Sequence, residues 1–201
     1  MKPMDEVLLV IDVQYDFMPG GALAVPLGDE VVPVINALAG GFSHVVLTQD
    51  WHPSGHVSFA ENHPGRQPFE TISLPYGEQV LWPTHCVQGT HGAALHDALR
   101  IPQAQAVVRK GYHANVDSYS AFLEADRKTP TGLTGYLRDK GVRRVHCVGL
   151  ATDFCVAWSA LDAKAAGFDV CVIERACRAI DLDGSLAKAW AALSDAGVAR
   201  E

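Results

Sequence analysis

The sequence predicts an α/β fold: a doubly wound, mostly parallel sheet flanked by helices. Three observations carry that prediction. Five short apolar, β-branched runs punctuate the 201 residues, and segments with helical spacing lie between them. The runs are apolar throughout rather than alternating, the pattern of strands covered on both faces. Strands that alternate with helices imply crossover connections and hence a parallel sheet.

In chain order, the predicted strands are VLLVIDV (7–13), HVVLTQ (44–49), AVVRK (106–110), RVHCVGL (144–150) and DVCVIE (169–174). A helix over 29–40 follows Gly28 and ends at Gly40, and one over 131–141 stops at Lys140-Gly141. A helix over 152–167 has Thr152 or Asp153 as its N-cap. It places Phe154, Ala157, Leu161 and Ala165 on one face, with Gly167 just past its end. Residues 183–197 repeat the pattern. The stretch 50–92 is rich in Pro, Gly and His and reads as irregular, and a long irregular segment in a compact domain is usually functional. With no internal repeat, low-complexity tract or linker, residues 1–201 read as one domain, with a metal-binding loop region at about 50–92.

Composition narrows the function. Apolar residues make up 48% of the chain and charged residues 19%, enough for a core and too few charges for long disorder. The net charge of −7 and the lack of a basic run argue against nucleic acid and membrane surfaces as partners. The apolar N-terminal run is interrupted by Asp12 and does not read as a secretory signal. The five cysteines (86, 147, 155, 171 and 177) form no C-x-x-C pair, which fits a reducing cytoplasm. Neither G-x-G-x-x-G nor a Walker loop is present, so a nucleotide or flavin module has no support.

Four features carry chemistry. Asp50 and His52 follow a strand, and on extended backbone they point the same way. With His85 they make a carboxylate and two imidazoles, a donor set for Zn²⁺, Fe²⁺ or Mn²⁺ that leaves coordination positions open. His56, Ser58, Glu61 and His63 are nearby candidates for a further ligand. A lone D-x-H also serves ordinary turn hydrogen bonds. Cys155 falls in the first turn of the helix after a strand, where a helix N-terminus lowers a thiol's pKa and offers N–H groups to an oxyanion. Its bland alternative is a buried apolar role, the one read for Cys147 and Cys171. Asp12 is a carboxylate in an apolar strand, costly to bury unpaired and placed for proton transfer; it could equally bond a loop. Lys110 ends a strand and would balance charge, although a strand-end lysine is commonly solvated.

Together these features resemble the isochorismatase-like cysteine hydrolases, in their nicotinamidase branch. The resemblance runs through five ordered blocks: IDVQYDFMPGGAL (11–23), TQDWHPSGHVSFA (48–60), WPTHCVQGTHGA (82–93), RKGYHANVDSYSAF (109–122) and GLATDFCVAWSA (149–160). It implies the isochorismatase-like hydrolase fold and a triad of Asp12 as acid/base, Lys110 as charge partner and Cys155 as nucleophile. It also implies a cis peptide at Leu150–Ala151 and an oxyanion hole from the N–H groups of Ala151 and Cys155. One divalent metal ion on Asp50, His52 and His85 is implied, with Glu61, Ser58 or water in the variable fourth position, and no organic cofactor. Phe17, Leu23, Trp82 and Tyr119 match walls of a pyridine pocket. The D-x-H plus His set favours this branch over isochorismatases proper. The implied reaction is hydrolysis of nicotinamide to nicotinate and ammonia through a cysteine thioester in NAD salvage, with pyrazinamide as a second substrate. A related amide or carbamoyl substrate, or a metal-bound water as nucleophile, is the rival reading. His91, His96 and His113 receive no role, Cys86 is read as structural, and a homo-oligomer is left open.

Overall fold

All five apolar runs form strands in the computed structural model, which describes residues 3–201. The strands are β1 (Glu6–Ile11), β2 (His44–Asp50), β3 (Thr71–Leu74), β4 (Gly77–Val80), β5 (Ala106–Lys110), β6 (Arg144–Leu150), β7 (Asp169–Arg178) and β8 (Ala199–Arg200). Six of them form one sheet in the order β5-β2-β1-β6-β7-β8, with every neighbouring pair parallel. The helices are α1 (Val31–Ala39), α2 (Leu133–Asp139), α3 (Ala157–Ala165) and α4 (Ser185–Asp195).

Successive residues of β1 point to opposite faces, which explains its unbroken apolar run. Leu8 and Val10 join a core with Val31, Val32 and Ile35 around α1. Val7, Leu9 and Ile11 join another with Leu133, Leu137, Val156, Ala160 and Leu193 from the α2, α3 and α4 side. Burial of all six β1 residues and all seven β2 residues agrees with strands covered on both sides. Strand β5 departs from this expectation. It pairs only with β2, its exposure alternates, and Val107 is 49% exposed. An edge strand has one neighbour, and here one open face, despite its apolar composition.

Strand order decides where a site can form. From β1 the chain builds outward through β2 and β5 on one side, then returns to lay β6, β7 and β8 on the other. The carboxyl ends of β1 and β6 flank the reversal point, where open α/β sheets leave a crevice. Asp12 follows β1, Asp50 ends β2, Lys110 ends β5, and Ala151 follows β6.

Three helix expectations are corrected. The segment 152–167 is not one α-helix: Thr152–Val156 forms a π turn, in which the Val156 N–H reaches back five residues to the Ala151 carbonyl. The buried stripe is Val156, Ala157, Ala160 and Ala163, so Ala157 alone of the expected face is buried; Phe154 and Leu161 are half-buried and Ala165 is exposed. The extra residue in the turn shifts the helical phase that the apolar spacing had implied. Neither Thr152 nor Asp153 caps this helix. The Asp153 carboxylate instead accepts from the N–H groups of Ile180 (3.1 Å) and Asp181 (2.7 Å) and from the Ser185 hydroxyl, tying the approach to α4 to the π turn. Within 50–92, the β3–β4 hairpin was not anticipated, because each four-residue strand is too short to show a period. No helix among the described residues is long and apolar enough to cross a membrane.

The expected cis peptide is present at Leu150–Ala151. Just before it, Gly149 adopts φ +116°, and a Cβ there would lie 2.1 Å from the Ile11 carbonyl oxygen. Both the backbone conformation and the close approach of β1 require glycine. Gly149→Ala should therefore lower unfolding free energy by about 2 kcal/mol or more in urea denaturation. A loss within experimental error would show that the two strands can part at no expense.

Candidate active site

Lys110 is the last residue of β5 and pairs in register with Asp50, the last of β2. Its ammonium has no exposed surface. It lies 2.7 Å from Asp12 Oδ2 and 2.8 Å from Asp50 Oδ1, and it donates to the Ser118 carbonyl at 3.1 Å. Cys155 Sγ is 3.4 Å away. Burial opposes the charged lysine, but the charges of Asp12 and Asp50 outweigh it and hold its pKa well above the usual value.

Asp12 sits one residue beyond β1 at φ +49°, a left-handed turn that ends the strand. Its N–H donates to Thr48 Oγ1 at 3.1 Å, and the Thr48 hydroxyl donates back to Oδ1 at 2.5 Å. Burial pushes the Asp12 carboxyl up, and Lys110 only partly offsets it. Asp50 moves the other way: burial raises it, but His52 and Lys110 together take it well below the usual range. Two neighbouring carboxylates are thus pushed apart, the pattern that separates a proton carrier from a permanent anion.

The Cys155 thiol is buried and its pKa lies well above the ordinary value. This corrects the lowered value expected from a helix N-terminus. Burial dominates, Lys110 partly offsets it, and the carboxylates of Asp12 and Asp50 add to the rise. The structure brings Asp12, Lys110 and Cys155 together. Cys86, also buried, is likewise held high by burial and then by Asp50, and its N–H donates to Asp16 Oδ2.

Asp50, His52 and His85 form a close buried group. His52 Nδ1 is 2.8 Å from the Gly111 carbonyl and His85 Nδ1 is 2.8 Å from the Pro83 carbonyl. A carbonyl only accepts, so each Nδ1 carries a hydrogen, which leaves each Nε2 as the atom that would turn to a metal. Those Nε2 atoms face Asp50 Oδ2 at 3.0 and 3.4 Å. Burial opposes a charged His52, but Asp50 outweighs it and raises the imidazole's pKa, so a proton meets the carboxylate when no ion is bound; a divalent ion would take the place of that positive charge, so this set fits a borderline divalent metal. Gly111 makes the geometry possible: at φ +67°, a Cβ there would lie 2.4 Å from His52 Cε1. Gln14 fixes the carboxylate end of the group, accepting from the Asp50 N–H at 2.7 Å and donating to its carbonyl at 2.8 Å.

Of the nearby candidates for a fourth ligand, the two histidines are otherwise engaged. His56 Nε2 donates to the Val116 carbonyl (3.2 Å), so its Nδ1 accepts from the Ser58 hydroxyl (2.7 Å). That bond takes the Ser58 hydroxyl hydrogen and leaves its oxygen lone pairs available. His63 Nε2 donates to the Val57 carbonyl at 2.7 Å. Glu61 is exposed and stands outside the group.

Above these groups opens a slot of about 350 Å³, counting its mouth. The four expected wall residues, Phe17, Leu23, Trp82 and Tyr119, all line it, with Ala151 and Cys155 at its base. Trp82 Nε1 donates to the Tyr119 hydroxyl at 2.9 Å. Three further lining residues escaped the sequence reading: Phe154, Asp117 and Ile180. Phe154 packs edge-on to Trp82 with ring centroids 4.9 Å apart. Its place beside Cys155 was a usable signal, obscured by reading it as a helix core position. Asp117 and Ile180 stand in loops without a local pattern. Of the unassigned histidines, His91 and His96 pack against the Tyr15 ring, and His113 pairs with Glu124 at 2.7 Å.

The comparisons with known proteins agree with this geometry. The isochorismatase domain model matches residues 6–199. The nicotinamidase of Acinetobacter baylyi is 59% identical over 193 residues, spanning 96% of this chain and 90% of that protein. A solved nicotinamidase/pyrazinamidase from Acinetobacter baumanii superposes with a TM-score of 0.99 at 60% identity, covering 100% of this chain and 97% of the other. The zinc complex of Pyrococcus horikoshii pyrazinamidase matches with a TM-score of 0.80 at 34% identity, over 98% of each chain. The chain belongs to the isochorismatase domain family. Within that family its similarity runs to the nicotinamidases.

One acid-sensitive group stands out beside the metal set. Burial, with His52 adding to it, lowers His56 to about 4. Its unfolded value is about 6.5, so between these limits the unfolded chain holds the extra proton. The contribution to stability is complete above pH 6.5 and is lost as pH falls toward 4. In urea titrations with chelator present, stability should drop across this window, and His56→Gln should flatten the slope by up to one proton. An unchanged slope in the variant would move the acid sensitivity to other groups.

Proposed function

We propose that this chain hydrolyses nicotinamide to nicotinate and ammonia through a covalent cysteine intermediate, in NAD salvage. One observation carries the reading: Cys155 Sγ lies against Lys110, itself paired with Asp12, at the base of an aromatic slot that also exposes Asp50, His52 and His85. A flat, mostly apolar slot suits an aromatic ring, and the groups at its base suit an amide carbonyl.

Asp12 is the acid/base. Its raised pKa suits a group that must take a proton and return it near neutral pH. With burial holding the thiol's pKa up, its proton passes to Asp12 as the amide is attacked. Lys110 holds the sulfur's developing negative charge and remains protonated throughout. The N–H groups of Ala151 and Cys155 receive the oxyanion. Asp12 then returns the proton to the departing nitrogen, so ammonia leaves and a thioester remains on Cys155. Water, deprotonated by Asp12, attacks the thioester and releases nicotinate and the free thiol.

Asp50, His52 and His85 hold a divalent ion, which supplies a Lewis-acidic point for an electron-rich ring nitrogen. The zinc complex of the Pyrococcus horikoshii relative supports a divalent metal in this chain. Pyrazinamide keeps the amide and a comparable ring nitrogen, and it is the expected second substrate. Five buried free thiols support a cytoplasmic setting.

Purified protein should release ammonia from nicotinamide, lose that activity to chelator and regain it on adding Zn²⁺, Fe²⁺ or Mn²⁺. No turnover under any metal would move the substrate to another amide. Cys155→Ala should lower turnover about 10³-fold or more without altering metal content; retained activity would remove the nucleophile assignment.

A further inference from the structure

We infer that Asp117 anchors the open side of the metal centre, accepting hydrogen bonds from water on the ion rather than ligating it. The inference rests on the metal reading given above. His56 and His63 are bonded elsewhere and Glu61 lies outside the group, so no imidazole or carboxylate among these candidates completes the three ligands. A divalent ion of this kind takes at least one more ligand, and water bound to it becomes a strong hydrogen-bond donor.

Asp117 is the buried acceptor that faces this space. It is 2% exposed and lines the same slot as Asp50, His52 and His85. One of its carboxylate oxygens lies within 4.8 Å of a ring nitrogen of His52 and one of His56. It cannot share an ion with that pair, because both nitrogens of His56 are engaged. Its Oδ1 accepts from the Ser118 N–H at 2.8 Å, and its Oδ2 accepts from Gln79 Nε2 at 2.7 Å. A carboxylate has about four acceptor directions, so these bonds fix its orientation and leave capacity toward the slot.

Charge balance points the same way. Asp12, Asp50 and Asp117 are buried carboxylates set against the one buried ammonium among the described residues, that of Lys110. One divalent ion brings that formal sum to zero, the balance a low-dielectric site favours. Gln79, reaching in from the β4 strand of the hairpin, is the residue that positions Asp117.

The test is Co²⁺ titration of the metal-stripped protein, following the visible ligand-field bands, with chelator competition for affinity. Wild-type protein should bind one equivalent; if it binds none, the metal reading itself fails, and the result is separate from the test of Asp117. Asp117→Leu should weaken Co²⁺ binding roughly 10- to 100-fold, and the near-isosteric Asp117→Asn by about tenfold, with band positions and intensity unchanged in both. Affinity unchanged in Asp117→Asn would overturn the inference, and that variant keeps the test available should the leucine form fail to fold. Bands that change coordination class would overturn it in favour of direct ligation.

Discussion

A lysine ammonium with no contact to water lies between two carboxylates at the carboxyl edge of the sheet, and the site is organised around that contact. Isolating such a charge from solvent is expensive, and only close anions make it tolerable. Lys110 therefore requires Asp12 and Asp50, and each requires it. The pairing places Asp50 with one oxygen toward the ammonium and the other toward the two imidazoles, so a single carboxylate joins the proton-transfer half of the site to the metal half. It also splits the acidities of two neighbouring aspartates, leaving Asp12 raised and Asp50 a fixed anion.

Topology supplies the rest of the precision. Four adjacent parallel strands end together, and each delivers one element: Lys110 from β5, Asp50 from β2, Asp12 from β1 and the Ala151–Cys155 turn from β6. Ladder register sets their spacing, so no long loop must be ordered to align the acid/base, the ammonium and the sulfur. The loops bring the aromatic walls and the His85 and Asp117 side chains.

Much of this was legible because buried parallel strands leave a continuous apolar signature, and the polar residues that interrupt or end such runs are conspicuous. Asp12, Asp50 and Lys110 were readable on that basis, and the resemblance to the isochorismatase-like family joined them to Cys155. Features that depend on three-dimensional neighbours were not readable. The π turn at Thr152–Val156 has no sequence period of its own and misdirected the face assigned to Phe154. The pKa of Cys155 departs from the expectation because helix electrostatics show in the local sequence, whereas the burial of the sulfur and the reach of both carboxylate charges to it do not. Asp117 has no local pattern; its meaning comes from Gln79, 38 residues away in a hairpin too short to recognise.

The position of Lys110 on β5 has a consequence for how the molecule fails. That strand has five residues, one neighbour and an alternately exposed face, so its ladder is held by little beyond β2 and the lysine itself. Edge elements of this kind open at lower free energy than the whole fold. Fraying of β5 would carry the ammonium away from both carboxylates while β1, β6 and β7 stayed packed. Heat or denaturant would then silence the chemistry before the core melts, so inactivation and global unfolding would follow separate curves.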